Sequence, residues 1–167
     1  RNGDPSSGQQ IREISRSPQS IFDEIDRLEQ SGVREITLLG QNVNSYDFTW
    51  QGKSLRFPDL LADIASRVDS VRWIRFESPH PKDFSDELIQ VIAREPAVAK
   101  HLHIPVQSGS SKILGLMNRR YDRERYVQLI SKLRSAVPTV TLTTDVMVGF
   151  PGESEEDFLQ TLSLMEE

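Results

Sequence analysis

Apolar strand patterns and amphipathic helix patterns alternate from Ile11 to the end of this chain, and that rhythm restricts its fold more than any other feature. Ser17-Pro18 opens the first helix, with serine at the N-cap and proline in the first turn. Ile21, Ile25 and Leu28 then form an apolar stripe, and Gly32 closes the helix. Glu35–Gly40 reads as a strand, Phe57–Val68 as a helix with Leu60, Leu61 and Ile64 inward, and Val71–Ser78 as a strand. Ser85–Arg94 is a helix stopped by Pro96, and Lys100–Val106 is a strand. Ser110–Met117 and Arg123–Val137 read as helices, Val140–Val148 as a strand, and Ser154–Glu167 as a helix opened by a Ser154–Asp157 capping box. Strands alternating with helices of this length argue for βαβ units around a parallel sheet. The first helix lacks a preceding strand, and the last lacks a following one. The expectation is an α/β fold over 11–167, a partial TIM-like (β/α) barrel truncated at both ends. Arg1–Gln10 is polar and rich in Gly, Ser and Pro, and reads as a flexible tail, a vector remnant or the edge of a loop.

Side chains alternate across a strand, so each strand offers one face to the helices and one to the barrel interior. Ile36 and Leu38, Ile74 and Phe76, Leu102 and Ile104, and Val140, Leu142, Val146 and Val148 form the helix-facing sets. What remains is mostly polar: Thr37, Leu39 and Gln41; Trp73, Arg75 and Glu77; His101, His103 and Gln107; Thr141, Thr143, Asp145 and Met147. Barrel interiors are ordinarily filled by Val, Ile and Leu. Burying an unpaired ion costs several kcal/mol, so charges on this face must pair with each other or with a ligand. A ligand-free Arg75–Glu77–Asp145 network is the plain explanation. A polar chamber at the C-terminal ends of the strands, where barrel enzymes place their sites, is the functional one.

Each strand exits into a marked loop: Gly40–Tyr46, Ser78–Pro81, Gln107–Ser110 and Gly149–Glu153. Glycines there permit tight turns and close backbone approach, and the last loop feeds a helix N-terminus with free N–H groups. Phosphate-loop, dinucleotide and His-Glu-x-x-His signatures are absent. His101-x-His103 with His80 and Asp145 could form a metal pair of the barrel-hydrolase kind, but a lone His-x-His is a weak signature. Met117-Asn-Arg-Arg-Tyr121 ends a helix with two cations. They either compensate the helix dipole or contact RNA, and the spacing does not choose. A net charge of −5 means that any nucleic-acid contact must be local. There is no cysteine, which removes disulfides and cysteine-held zinc or iron–sulfur centres from this chain. No apolar run approaches a membrane span and Arg1–Gln10 has no signal-peptide core, so a cytoplasmic protein with no membrane partner is expected.

Together these strings resemble the radical S-adenosylmethionine methylthiotransferases. The matching pieces are Arg12-Glu13 with Ser15–Pro18, Thr37–Tyr46, Ser78–Phe84, His101–Ser110, Met117–Arg119 and Val148–Glu153. Gly40–Tyr46 with Gln107–Ser110 makes the chain most similar to the branch that modifies tRNA. The branch that modifies a small-subunit ribosomal protein usually differs at both. A third branch, acting on threonylcarbamoyl-adenosine, shares only the Val106–Ser110 string.

The resemblance implies a radical SAM core barrel binding S-adenosylmethionine at the strand C-terminal ends. Gln41 and Asn42 are expected near its methionine part, Glu77, His103 and Gln107 near methionine and ribose, and Asp145, Gly149 and Phe150 near ribose or adenine. The family's reaction uses two [4Fe–4S] clusters. One sits on a Cys-x-x-x-Cys-x-x-Cys loop and gives a 5′-deoxyadenosyl radical from the cofactor. The second is thought to supply sulfur, and a further S-adenosylmethionine the methyl group. The product implied is a methylthio group on the isopentenylated adenosine beside the anticodon. The partners implied are tRNA and a reducing electron donor. Asn44, Tyr46, Asn118, Arg119 and Arg120 are candidate RNA contacts. The cysteine loop should lie immediately before Arg12, where this chain has none. The N-terminal methylthiotransferase domain and the C-terminal RNA-binding domain are likewise expected to be missing. The isolated chain is therefore expected to be inactive, a truncated core with no metal ligand of its own. The alternatives are the ribosomal-protein branch and a non-catalytic S-adenosylmethionine-binding or structural fragment.

Overall fold

A computed structural model describes residues 14–77 and 79–167. Expectations for Arg1–Gln10 and for the segment before Arg12 lie outside the described residues, as does Ser78. Six helices and six strands follow in the order α1 (Pro18–Gln30), β1 (Glu35–Leu38), β2 (Asp47–Trp50), β3 (Lys53–Arg56), α2 (Phe57–Arg67), β4 (Trp73–Phe76), α3 (Asp86–Arg94), β5 (His101–His103), α4 (Ser111–Leu116), α5 (Arg123–Ala136), β6 (Thr141–Thr143) and α6 (Glu155–Glu166). Short 3₁₀ turns at Val43–Ser45 and Pro81–Asp83 follow β1 and β4.

Strands β1, β4, β5 and β6 form a parallel arc. β1 pairs with β4 through Ile36 and Ile74. The Ile74 N–H then donates to the Ala97 carbonyl at 2.8 Å, and the Ala99 N–H returns to the Ile74 carbonyl at 3.0 Å. The same stretch runs on into β5, which pairs in parallel with β6. Ile36, Ile74, Phe76, Leu102 and Ile104 are buried beneath the helices as their alternation requires. Leu61, Ile64, Leu88, Ile92 and Leu133 close over them from α2, α3 and α5, each fully buried.

Local signals set the helix ends. The Ser17, Ser85, Ser110, Asp122 and Ser154 side chains each accept an N–H of the first turn that follows. Lys100 donates to the carbonyls of Ile92 and Glu95 at the end of α3, and its partial burial lowers its pKa. Glu29 ties α1 to the approach of β4. Its carboxylate accepts the N–H groups of Ser70, Asp69 (2.9 Å) and Val71 (3.1 Å), with Ser70 the largest of the causes that lower its pKa from the ordinary glutamate value. A depressed carboxylate adds stability above its unfolded pKa and loses it as pH falls through the folded value. Thermal melts between about pH 5 and about pH 3 should therefore fall less steeply for Glu29→Gln than for the parent chain. Parallel slopes would contradict this role.

Several expectations are corrected. Residues 47–56 form a hairpin, β2–β3, closed by Gln51 (φ 51°) and Gly52 (φ 79°). Positive φ at both central residues suits the twist of a tight hairpin, but Gln51 is an unusual choice for it, so the turn escaped the sequence pattern. The strand expected over Val140–Val148 ends at Thr143, because the Thr144 hydroxyl takes the Val106 N–H at 2.9 Å and interrupts the alternation. Val146 and Val148 are exposed, at 37% and 59%, rather than packed under helices. On α1 the buried residues are Pro18, Phe22 and Ile25, whereas Leu28 is 37% exposed.

Candidate functional site

The C-terminal ends of β5 and β6 bring His103, Thr143 and Asp145 together. His103 stands at the centre: its Nδ1 lies 3.0 Å from the Thr143 hydroxyl, and its Nε2 lies 3.3 Å from Asp145 Oδ2. One ring nitrogen must donate and the other accept in the neutral tautomers, so Thr143 and Asp145 fix the ring plane while leaving both partners polar. The His103 side chain is 29% exposed and that of Asp145 65% exposed, so this pair is accessible from solvent.

Gln107 is half-buried and adopts φ 73°, a left-handed conformation seldom held by residues other than glycine. Its N–H donates to the Asp145 carbonyl at 2.9 Å and its carbonyl accepts the Met147 N–H at 2.8 Å. The turn is thereby stitched to the continuation of β6. Strained backbone held this firmly is concentrated at functional sites. Tyr121 supports the same strand end from beneath. Its hydroxyl donates toward the carbonyls of Val106 (3.0 Å) and Pro105 (3.2 Å), and burial pushes its pKa up to about 12.

Glu77 is half-buried past the end of β4, and its N–H donates to the Leu38 carbonyl at 3.1 Å. The Arg75–Glu77–Asp145 network does not form. Arg75 instead pairs with Glu35 at 2.6 Å across the β1–β4 register, and Asp145 faces His103. Nor does the metal alternative assemble. His80 accepts the Lys82 N–H on its Nδ1 at 3.2 Å and meets the Tyr121 ring edge-on. Burial and the neighbouring cations Lys82, Arg119 and Arg120 push its pKa down. Among the described residues no three metal-donor side chains converge.

The loop after β1 carries Gln41, which is exposed, and Asn42, whose Nδ2 donates to Asp83 Oδ2 at 2.7 Å. The Asn42 Oδ1 is buried without a partner among the described residues. A buried acceptor of this kind is open to a donor from a water or a ligand. A recess of about 320 Å³ opens here, lined by Leu39, Gly40, Gln41, Asn42 and Tyr46. The loop after β6 closes on itself: Glu153 Oε2 accepts the N–H groups of Gly149 and Phe150, and Glu153 Oε1 is buried and unpaired among the described residues. Gly149 is exposed and Phe150 half-buried, so the rim there remains accessible.

The RNA candidates separate into two kinds. Asn44 is 8% exposed, and both ends of its amide bind the His80 backbone, at 2.9 Å and 3.1 Å. It is a strut between two rim loops and is not available as a contact. The Tyr46 hydroxyl donates to the Arg16 carbonyl at 2.8 Å. Arg119 and Arg120 do not end a helix as expected, since α4 stops at Leu116. They occupy the following loop with Asn118, at φ 56°, and neither guanidinium is paired among the described residues. Tyr121 carries that loop against His80, on the side of the chamber. Sequence pattern missed the supporting roles of Thr143 and Tyr121. The alternation that placed Thr143 on the polar face was the available signal for it, whereas nothing local pointed to Tyr121.

The Radical SAM superfamily matches residues 4–165 of the chain. The tRNA-2-methylthio-N(6)-dimethylallyladenosine synthase of Treponema pallidum (strain Nichols) is 52% identical over 160 residues, 93% of this chain and 35% of that protein. The synthases of the same name from Clostridium botulinum (strain Loch Maree / Type A3) and Phocaeicola vulgatus are 50% and 51% identical, each over 93% of this chain and 34% of the relative. The chain thus spans about a third of the length of these curated relatives. Among solved structures, the cobalamin-dependent S-adenosylmethionine radical enzyme OxsB superposes with a TM-score of 0.61 at 14% identity, over 90% of this chain and 22% of that one. That similarity supports the partial barrel fold.

Proposed function

Because the chain belongs to the radical SAM superfamily, we propose that it is the core of a tRNA methylthiotransferase that modifies the isopentenylated adenosine beside the anticodon. The observation that carries this reading is the identity of 50–52% over 93% of the chain to synthases from three distant bacteria. The exposed polar cluster of His103, Thr143 and Asp145 at the ends of β5 and β6 supports it. The reaction and substrate belong to the whole protein, of which the relatives' length makes this chain about a third.

S-adenosylmethionine fits the donor set. An amino acid, a sulfonium, a ribose and an adenine need several polar groups of both kinds, and His103, Gln107, Glu77 and Asp145 offer them from strand ends. The unpaired Asn42 Oδ1 beside Gln41 offers an acceptor to an ammonium or amide donor. Gly149 and Phe150 provide backbone and an aromatic edge for a base. Bound there, the cofactor would supply the carbon radical and the methyl group that the family's chemistry requires. His103, held between Thr143 and Asp145, orients rather than transfers: its two hydrogen bonds fix the ring. Leu102, Ile104 and Val106, all buried, keep water from the back of the chamber. The [4Fe–4S] clusters do not fit this chain, because it has no cysteine to hold them. We place their ligands, the methylthiotransferase domain and the RNA-binding domain in the rest of the protein, with 11–167 as the partial core.

In this reading Arg119 and Arg120, unpaired among the described residues, contact phosphates of the substrate, and Asn118 and Tyr46 are further RNA contacts. A cytoplasmic enzyme fed by a reducing electron donor follows from the same reading. No helix among the described residues is long and apolar enough to cross a membrane.

Mass spectrometry of bulk tRNA nucleosides, from cells with and without the parent gene, tests the proposal. The methylthio group should disappear and the isopentenylated adenosine accumulate. An unchanged profile would overturn the tRNA reading and send the search to the ribosomal-protein branch.

A further inference from the structure

Among the described residues polar burial is concentrated at one place away from the His103–Asp145 cluster. Of the five buried polar residues among those described, Ser108, Ser110, Asp157 and Thr161 lie where the Gln107 turn meets α6, and Asn44 is the fifth. Asp157 Oδ1 accepts the Ser110 hydroxyl at 2.7 Å, and its Oδ2 accepts Lys112 Nζ at 2.7 Å and the Ser154 hydroxyl at 2.7 Å. One turn on, the Thr161 hydroxyl accepts the Gly109 N–H at 2.9 Å and lies 3.3 Å from the Ser108 hydroxyl. The turn also presses on the helix backbone: a Cβ on Gly109 would stand 2.6 Å from the Thr161 Cα. Every polar atom named here has a partner, so the cluster is a closed network of the kind that fixes one geometry.

That network begins at the residue after Gln107. The strained φ of Gln107 is held on one side by the β6 continuation, at Asp145 and Met147. On the other side it is followed at once by Ser108 and Gly109, both anchored to Thr161. We propose that α6 acts as a clamp on this turn, so that Asp157 and Thr161 are positioning residues that set Gln107 for S-adenosylmethionine. The inference rests on the reading of the chamber as the cofactor site. α6 touches no chamber residue through this cluster; it acts through the backbone of residues 108–110. Displacements of about 1 Å at a binding group can change function about 100-fold, so a loosened turn should register in affinity.

The test is equilibrium binding of S-adenosylmethionine to the full-length, cluster-loaded protein without reductant, well below its melting temperature. Thr161→Val removes the hydroxyl, and Thr161→Ser keeps it. The dissociation constant should rise about 10-fold or more for Thr161→Val and for Asp157→Asn, on the scale of one lost positioning interaction, and Thr161→Ser should bind like the parent. A purely structural role would lower the melting temperature without moving the affinity of the folded fraction. Parent-like binding by Thr161→Val would overturn the clamp while leaving the cofactor reading intact. Should Asp157→Asn not fold, the Thr161 pair alone decides. Absence of binding by the parent protein would overturn the cofactor reading and the clamp with it.

Discussion

Gly109→Ala is expected to lower the melting temperature of the chain by about 10 °C. The estimate takes about 3 kcal/mol for an overpacked core site and about 3 °C per kcal/mol at this chain length. The reason is the identity of the atoms in the way. An alanine Cβ would meet the carbonyl oxygen of Gln160 and stand 2.6 Å from the Thr161 Cα, both of them α6 backbone. A side chain could rotate away, but a helix backbone must translate as a unit. That shift would pull Thr161 from the Gly109 N–H and Asp157 from Ser110. Gly115 supplies the contrast within the same region: nothing lies within 4 Å of its Cβ position in α4. Gly115→Ala should therefore be neutral or stabilise by about 0.5–1 kcal/mol through helix propensity. Melting curves that moved alike for the two variants would refute the close-approach argument.

Ile74→Ala should cost about 2–5 kcal/mol, measured as the midpoint shift in urea denaturation, with Ile74→Val at about 0.5–1.5 kcal/mol. Ile74 is fully buried in the middle of β4. Its neighbours are Ile36 across the β1 register on one side and the Val98 bridge on the other. Because backbone bonds on both flanks pin the strand, the surrounding core cannot collapse into the space left by the deleted atoms. A loss below about 1 kcal/mol for the alanine variant would mean that β1 and the residue 97–99 stretch are not held together through β4.

Element existence and facing were legible where the physics is local. Ser17-Pro18, Ser85 and the Ser154–Asp157 box mark helix starts through bonds made within four residues. Alternation in β4 and β5 named the buried and polar faces because a strand has no other periodicity. The same rule failed past Thr143, where pairing, not pattern, ends the strand. Leu28, Val146 and Val148 are apolar but exposed, since hydrophobicity says what can be buried and only neighbours decide what is. Asn44 illustrates the limit at the site. Its place in a polar loop suggested a contact to RNA, and its burial against the His80 backbone assigns it to holding two loops together.

By itself, the sequence determined the serine helix caps, the parallel α/β class and the polar side of β4 and β5. It also set the inability of this chain to hold an iron–sulfur cluster, since that depends only on having thiolates. Tertiary structure alone decided that His103 lies between Thr143 and Asp145, that Arg75 turns to Glu35, and that α6 grips the Gln107 turn. Those contacts join residues about 40 to 50 positions apart. No local periodicity encodes such pairs, because they form only once the strands have paired and the helices have packed across them.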